Sequence, residues 1–232
     1  VHRSQIAIAK LAFGSLLGLV SCGGDSATST GVEPALVTFL NLTNSTLTFS
    51  ADGITDTGGG GRWCLAVSPV RPNLVISNND VGKTVTGFSP SFRSGGKYTV
   101  FVTKNSSGAF QFATVSSEFT PSAGKQAIRF FNGTSTTAAF DIYTSDTTAP
   151  LTNLTPELRN VTPGAASAFV ELTAGSHEIR GARVGTKTVY LDWGFNASAG
   201  GPNTTLWIAP TPGTDVVSST PDCTEASTRP VS

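Results

Sequence analysis

Ile128-Arg129-Phe130-Phe131-Asn132 has the composition of one strand, and the chain has already run through the same pattern at Val37-Thr38-Phe39-Leu40-Asn41. The register continues without a gap through Thr43/Thr134, Thr46/Thr137 and Phe49/Phe140. Short runs of β-branched and aromatic residues favour strands. A pattern that recurs once, at a spacing of about 90 residues, points to tandem domains or two halves of one sandwich rather than to a many-repeat solenoid. A second pair of blocks extends the match: Ser94-Gly95-Gly96-Lys97-Tyr98-Thr99-Val100 against Thr173-Ala174-Gly175-Ser176-His177-Glu178-Ile179.

Working outward, the first copy yields candidate strands at 36–41, 47–51, 62–67, 74–77, 84–88, 97–104 and 110–119. The second yields 126–132, 138–144, 157–161, 168–172, 176–182, 188–195 and 204–209. Tyr98, Val100 and Val102 fall on one face of a strand and Thr99, Phe101 and Thr103 on the other, the alternation of a half-buried strand. Turn residues separate the runs at short intervals, as in an antiparallel sandwich. Gly95-Gly96 and Ala174-Gly175 suit tight hairpin turns. No window after residue 21 sustains helical periodicity. The expected fold is all-β: two tandem immunoglobulin-like antiparallel β-sandwiches over 35–122 and 126–215, with a polar C-terminal tail at 216–232.

The 232 residues carry 15 basic and 15 acidic side chains, a formal net charge of zero, and only 13% are charged. No basic block exists, which argues against nucleic acid as a partner.

The N-terminal segment couples His2, Arg3 and Lys10 to an apolar run from Leu11 to Val20 and then Ser21-Cys22. A charged start, about ten apolar residues and small residues at the end describe a secretory signal, too short to span a bilayer, which takes roughly 20 residues. Leu19-Val20-Ser21-Cys22 resembles the lipobox of bacterial lipoproteins. That resemblance implies acylation of Cys22, cleavage before it, and membrane anchoring through its acyl chains. Residues 1–21 are then the signal and 22–34 a flexible tether (Gly23 to Pro34 are small and polar). Gly23 follows the cysteine and Asp25 comes only third, which resembles the outer-membrane default.

With Cys22 acylated, Cys64 and Cys223 remain. They read as one disulfide or as two separate thiols, and export favours the disulfide. A bridge closing roughly 160 residues could add about 4–5 kcal/mol in the chain-entropy picture.

The second copy resembles the bacterial extracytoplasmic family called domain of unknown function 4397. The resemblance rests on Arg129-Phe130-Phe131-Asn132, Asp141-Ile142-Tyr143 and Leu172-Thr173-Ala174-Gly175, and covers about residues 126–209. The first copy is a diverged version, with Thr38 in place of the Arg and Ser50 in place of the Asp. The resemblance implies an immunoglobulin-like sandwich on a surface or secreted protein, and no particular activity.

Candidate chemistry is sparse. His177 is the only histidine after the signal, and no G-x-S-x-G or H-E-x-x-H motif accompanies it. Gly58 to Gly61 lead into Arg62-Trp63-Cys64, not into the Lys-Ser/Thr and helix of a phosphate loop. Asp52, Asp56, Asp80, Asp141, Asp146 and Asp192 are scattered. Asn78-Asn79-Asp80 reads as a turn before it reads as a calcium ligand set. Trp63, Trp193 and Trp207 are candidate sugar-stacking residues, against the alternative of core packing. Sequons at Asn41, Asn132, Asn160 and Asn203 include two at the ends of equivalent strands, where turn capping explains them. No cofactor and no metal is expected. The functional expectation is a non-enzymatic binding, adhesion or scaffold protein of the cell envelope, whose partners are the membrane and an envelope protein or a polysaccharide. The alternatives are a carbohydrate-binding accessory protein and, behind it, an envelope hydrolase.

Overall fold

Thr38 and Arg129 stand at matching places in two copies of one topology. The structure, a computed structural model, describes residues 31–58, 62–70, 72–136, 138–145, 150–211 and 214–224. Strands β1 (Ala35–Asn41), β2 (Leu47–Ala51), β3 (Ile54–Gly58), β4 (Arg62–Val67), β5 (Leu74–Asn78), β6 (Lys83–Thr84), β7 (Lys97–Lys104) and β8 (Phe110–Ser116) form the first copy. The second consists of β9 (Lys125–Asn132), β10 (Phe140–Ser145), β11 (Leu158–Val161), β12 (Val170–Thr173), β13 (Gly175–Arg183), β14 (Val189–Ala197), β15 (Thr204–Thr211) and β16 (Thr214–Pro221).

Each copy stacks two four-stranded sheets. In the first they run β4-β1-β7-β8 and β3-β2-β5-β6; in the second, β12-β9-β15-β16 and β11-β10-β13-β14. Adding eight to every strand number of the first copy reproduces the second, so the duplication is one of connectivity as well as sequence. The tandem sandwiches are present as expected, with one change. β1 runs parallel to β7 and β9 parallel to β15, so neither sandwich is purely antiparallel. These central strands are buried on both faces, the environment that selects continuous apolar runs.

Inward residues build two cores. Phe39, Phe49, Trp63, Leu65, Ile76, Val100 and Val102 fill the first. Phe130, Phe140, Ile142, Ile179, Leu191, Leu206 and Ile208 fill the second. A third cluster joins the copies: Leu40, Leu42 and Phe101 on the outer face of the β1 sheet pack on Phe131 and Ala209 of the β9 sheet. The order of layers is therefore sheet, core, sheet, seam, sheet, core, sheet.

Topology corrects the second block of the repeat. β7 is the parallel partner of β1, so its counterpart is β15, not β13, which pairs antiparallel with β10. The register equates Thr99 with Thr205, Val100 with Leu206 and Phe101 with Trp207; His177 has no relation to Tyr98. Both mismatched segments follow a small-residue turn and then alternate, a pattern too common to fix an alignment. Nor are Gly95-Gly96 and Ala174-Gly175 hairpin turns. Each lies where the chain crosses between sheets, and Gly95 uses φ +65° to do so.

The expected tail is a strand up to Pro221: β16 pairs with β15 along its whole length. Two other strands escaped the sequence reading in full or in part. β3 was not foreseen, and the strand expected at 84–88 shrinks to Lys83–Thr84. The signal, Cys22, most of the tether, Gly59 to Gly61, Thr137 and residues 225–232 lie outside the described residues.

Asn41 and Asn132 close equivalent turns, as their positions suggested. Asn41 Oδ1 accepts from Thr43 N at 3.0 Å and Thr43 Oγ1 at 2.6 Å. Asn132 Oδ1 accepts from Thr134 N at 3.2 Å and Thr134 Oγ1 at 2.8 Å. Both asparagines are buried, so these sequons are turn devices. Asn203 also turns inward, donating from Nδ2 to Phe119 O at 2.9 Å.

Candidate functional site: the seam between the sandwiches

A charged residue in a strand buried on both faces needs a full set of partners, because an uncompensated buried ion is expensive. Arg129 is 2% exposed and has them. Its Nε donates to Thr205 Oγ1 at 2.8 Å and Nη1 to Ser116 O at 2.7 Å. Nη2 donates to Thr99 Oγ1 at 2.8 Å and Ser117 Oγ at 2.9 Å. The Phe169 ring lies 4.7 Å from Cζ, within cation–π range. Ser116, Ser117 and Thr99 belong to the first copy, so one side chain of β9 is anchored across the seam.

Its counter-charge is Asp222, the residue after β16. Asp222 Oδ1 lies 3.4 Å from Arg129 Nη2. It also accepts from Thr99 Oγ1 at 3.1 Å and Thr205 Oγ1 at 3.4 Å. The backbone N–H of Asp222 donates to Asn203 O at 2.7 Å. Oδ2 is buried with no hydrogen-bond partner. Burial pushes the Asp222 carboxyl above its ordinary value, and the nearby guanidinium offsets only part of that. Burial likewise lowers the Arg129 value, with Asp222 opposing.

Cys223 follows directly and is bonded to Cys64, with Cα atoms 5.8 Å apart. Its N–H donates to Thr38 Oγ1 at 3.0 Å. Thr38 is the counterpart of Arg129, so the two equivalent positions hold the adjacent residues Cys223 and Asp222. The disulfide thus joins β4 of the first copy to the segment just past β16 of the second.

The tryptophans are not brought together. Trp63 is in the first core, its ring centroid 4.5 Å from that of Phe49. Trp193 packs against the second core. Trp207 packs into the seam and donates from Nε1 to Thr220 Oγ1 at 3.0 Å. No shared stacking surface results. His177 is buried, with Nε2 2.7 Å from Thr173 O. Three other carboxylates accept from backbone N–H groups. Asp52 accepts from Ser68 N at 2.6 Å and Asn73 N at 3.2 Å. Asp80 accepts from Thr46 N and Glu171 from Ser122 N, bonds that hold both carboxyls below their ordinary values. Among the described residues no group of three His, Cys, Asp or Glu is placed to hold a metal ion.

Asp222 escaped the sequence reading because it lies in a segment read as tail. Arg129 entered it only as part of a motif. A lone Arg inside an apolar strand, repeated as Thr in the other copy, was the available signal.

The fold and seam define a tandem β-sandwich protein with an internal polar lock. A solved structure, the C-terminal domain of AlgF from P. aeruginosa, is similar over 42% of this chain and 98% of its own length, at 14% identity and a TM-score of 0.31. No family model matches the chain, and no curated protein matches it.

Proposed function

We propose that this chain is a lipid-anchored protein of the bacterial cell envelope, held in the outer membrane through Cys22, and that its folded part is a non-catalytic binding, scaffold or adhesion module. The lipobox-like Leu19-Val20-Ser21-Cys22 supports the anchor. The observation that carries the scaffold reading is the seam: two sandwiches joined by packing, by Arg129 and by a disulfide form one stiff body rather than two hinged ones. A stiff body on a tether suits presentation of a surface to a partner protein or polysaccharide, since less freedom is lost on binding. The resemblance to domain of unknown function 4397 belongs to the same reading.

Expression with its own signal in a bacterial host tests the anchor. The mature N-terminus should be an acylated Cys22 by mass spectrometry, and Cys22→Ser should leave the membrane fraction or stay unprocessed. An unmodified N-terminus at another residue would overturn it.

A further inference from the structure

The two sulfurs of the disulfide are not equivalent. β4 is an edge strand of its sheet. Trp63, Leu65 and Val67 point into the core, while Arg62, Cys64 and Ala66 alternate on the opposite face. Cys64 is partly exposed there, whereas Cys223 is 5% exposed. The exposed Arg62 reaches over, its Nη2 3.6 Å from Cys223 Sγ. One cysteine is partly exposed; the other is buried with a cation beside its sulfur.

Thiol–disulfide exchange proceeds by attack of a thiolate on one sulfur and departure of the other, and a leaving thiol of lower pKa departs faster. A neighbouring cation lowers a thiol pKa. We propose that Cys64–Cys223 is an exchange site for a dithiol reductant, with Cys64 the attacked sulfur and Cys223 the leaving group, and that opening it unlatches the seam. In the first step the dithiol's thiolate bonds to Cys64 Sγ. The Cys64–Cys223 bond breaks, and its electron pair stays on Cys223 as a thiolate facing Arg62. In the second, the reductant's other thiol loses its proton and attacks its own sulfur in the mixed disulfide. Cys64 leaves as a thiolate, and the reductant departs as a disulfide. Two electrons pass from dithiol to cystine, and its two protons are released to the thiolates or to solvent.

The consequence lies one residue away. With the bond cut, the segment after β16 is held by Asp222 N to Asn203 O, by Cys223 N to Thr38 Oγ1, and by the contacts of Asp222 Oδ1 with Arg129, Thr99 and Thr205. It carries the carboxylate that neutralises Arg129. Release of Asp222 would leave Arg129 as a lone cation in the seam.

The test uses the folded, mature chain. Glutathione, a monothiol, should trap the first step. After acid quenching, peptide mapping should find the adduct on Cys64 in about tenfold excess over Cys223, reflecting access and leaving-group quality. Reduction by dithiothreitol at low salt should slow about three- to tenfold in Arg62→Ala and stay near wild type in Arg62→Lys. Hydrogen exchange in β15 and β16 should accelerate on reduction. An adduct on Cys223 or on both sulfurs equally, or an unchanged rate in Arg62→Ala, overturns the exchange site. Unchanged exchange in β15 and β16 overturns the latch. None of these readouts depends on where the protein is anchored.

Discussion

The rings of Phe101 and Phe131 lie parallel, 3.7 Å between centroids and 4° between planes, one from each sandwich. Both sit on central strands, with neither ring exposed. Two large rings are removed from water together here, so this pair is a principal apolar contact of the seam.

Truncating either ring should therefore cost about 3–5 kcal/mol. Urea unfolding of Phe101→Ala, Phe131→Ala and the double variant forms a cycle. The double should fall short of the sum of the singles by about 1 kcal/mol, because each single already removes the stack. Strict additivity would show that the rings do not act as a pair.

Arg129→Ala removes one charge and strands another. The expected loss is about 3–5 kcal/mol, the range for breaking a buried pair. Arg129→Ala combined with Asp222→Ala should be less destabilised than Arg129→Ala alone, since the orphaned carboxyl is gone. Equal stability of the two would mean that Asp222 escapes to solvent when Arg129 is removed.

Asp222 sets a pH dependence of defined sign. Its folded pKa is raised above the ordinary 3.8, so the folded state holds this proton more tightly than the unfolded chain. Its contribution to stability is fully present below pH 3.8 and is lost as pH rises through the higher folded value. Subtracting the stability curve of Asp222→Asn from that of wild type isolates the group from Asp80 and Glu171, whose lowered values act in the opposite sense. The difference should turn against wild type as pH rises from about 3 to 7. A flat difference, or one of opposite slope, would show the carboxyl to be ordinary or depressed.

Asn132 Nδ2 donates to Ala138 O at 2.9 Å and Val161 O at 3.0 Å, whereas Asn41 Nδ2 donates to Ser45 O at 2.8 Å. Asn132→Ala should destabilise by about 1–3 kcal/mol, the cost of stranding buried polar groups, and more than Asn41→Ala. Thermal melts of the two variants compare them directly. The opposite ranking would mean that the turn, not the reach to Val161, sets the loss.

How much of this was legible depended on where the signal was local. β2 and β4 were readable because period-two alternation is written within each segment, and β1 and β7 because each is a short run of apolar and β-branched residues. Pairing was not. The equivalence of β7 with β15 follows from which neighbour each strand chooses, and β5 and β13 offer equally good patterns. β16 was missed because Thr, Ser and Asp fill an edge strand as readily as a loop. The disulfide could be reasoned from parity, but the lock beside it could not: Asp222 and Arg129 are distant in sequence and meet only when both sandwiches are complete.

The same distance governs the order of assembly. Cys64 waits for a partner 159 residues further along, which at typical synthesis rates is about 8–30 s. From the completion of β8 until the second sandwich forms, the first sandwich has its own core but displays Leu40, Leu42 and Phe101 on an uncovered sheet. An apolar sheet face of this kind invites a neighbour. The second sandwich therefore acts toward the first as a built-in chaperone that arrives late. A chain ending at residue 122 should show what it prevents: light scattering should detect self-association that the full chain lacks, and a monodisperse truncated chain would remove the need for that protection.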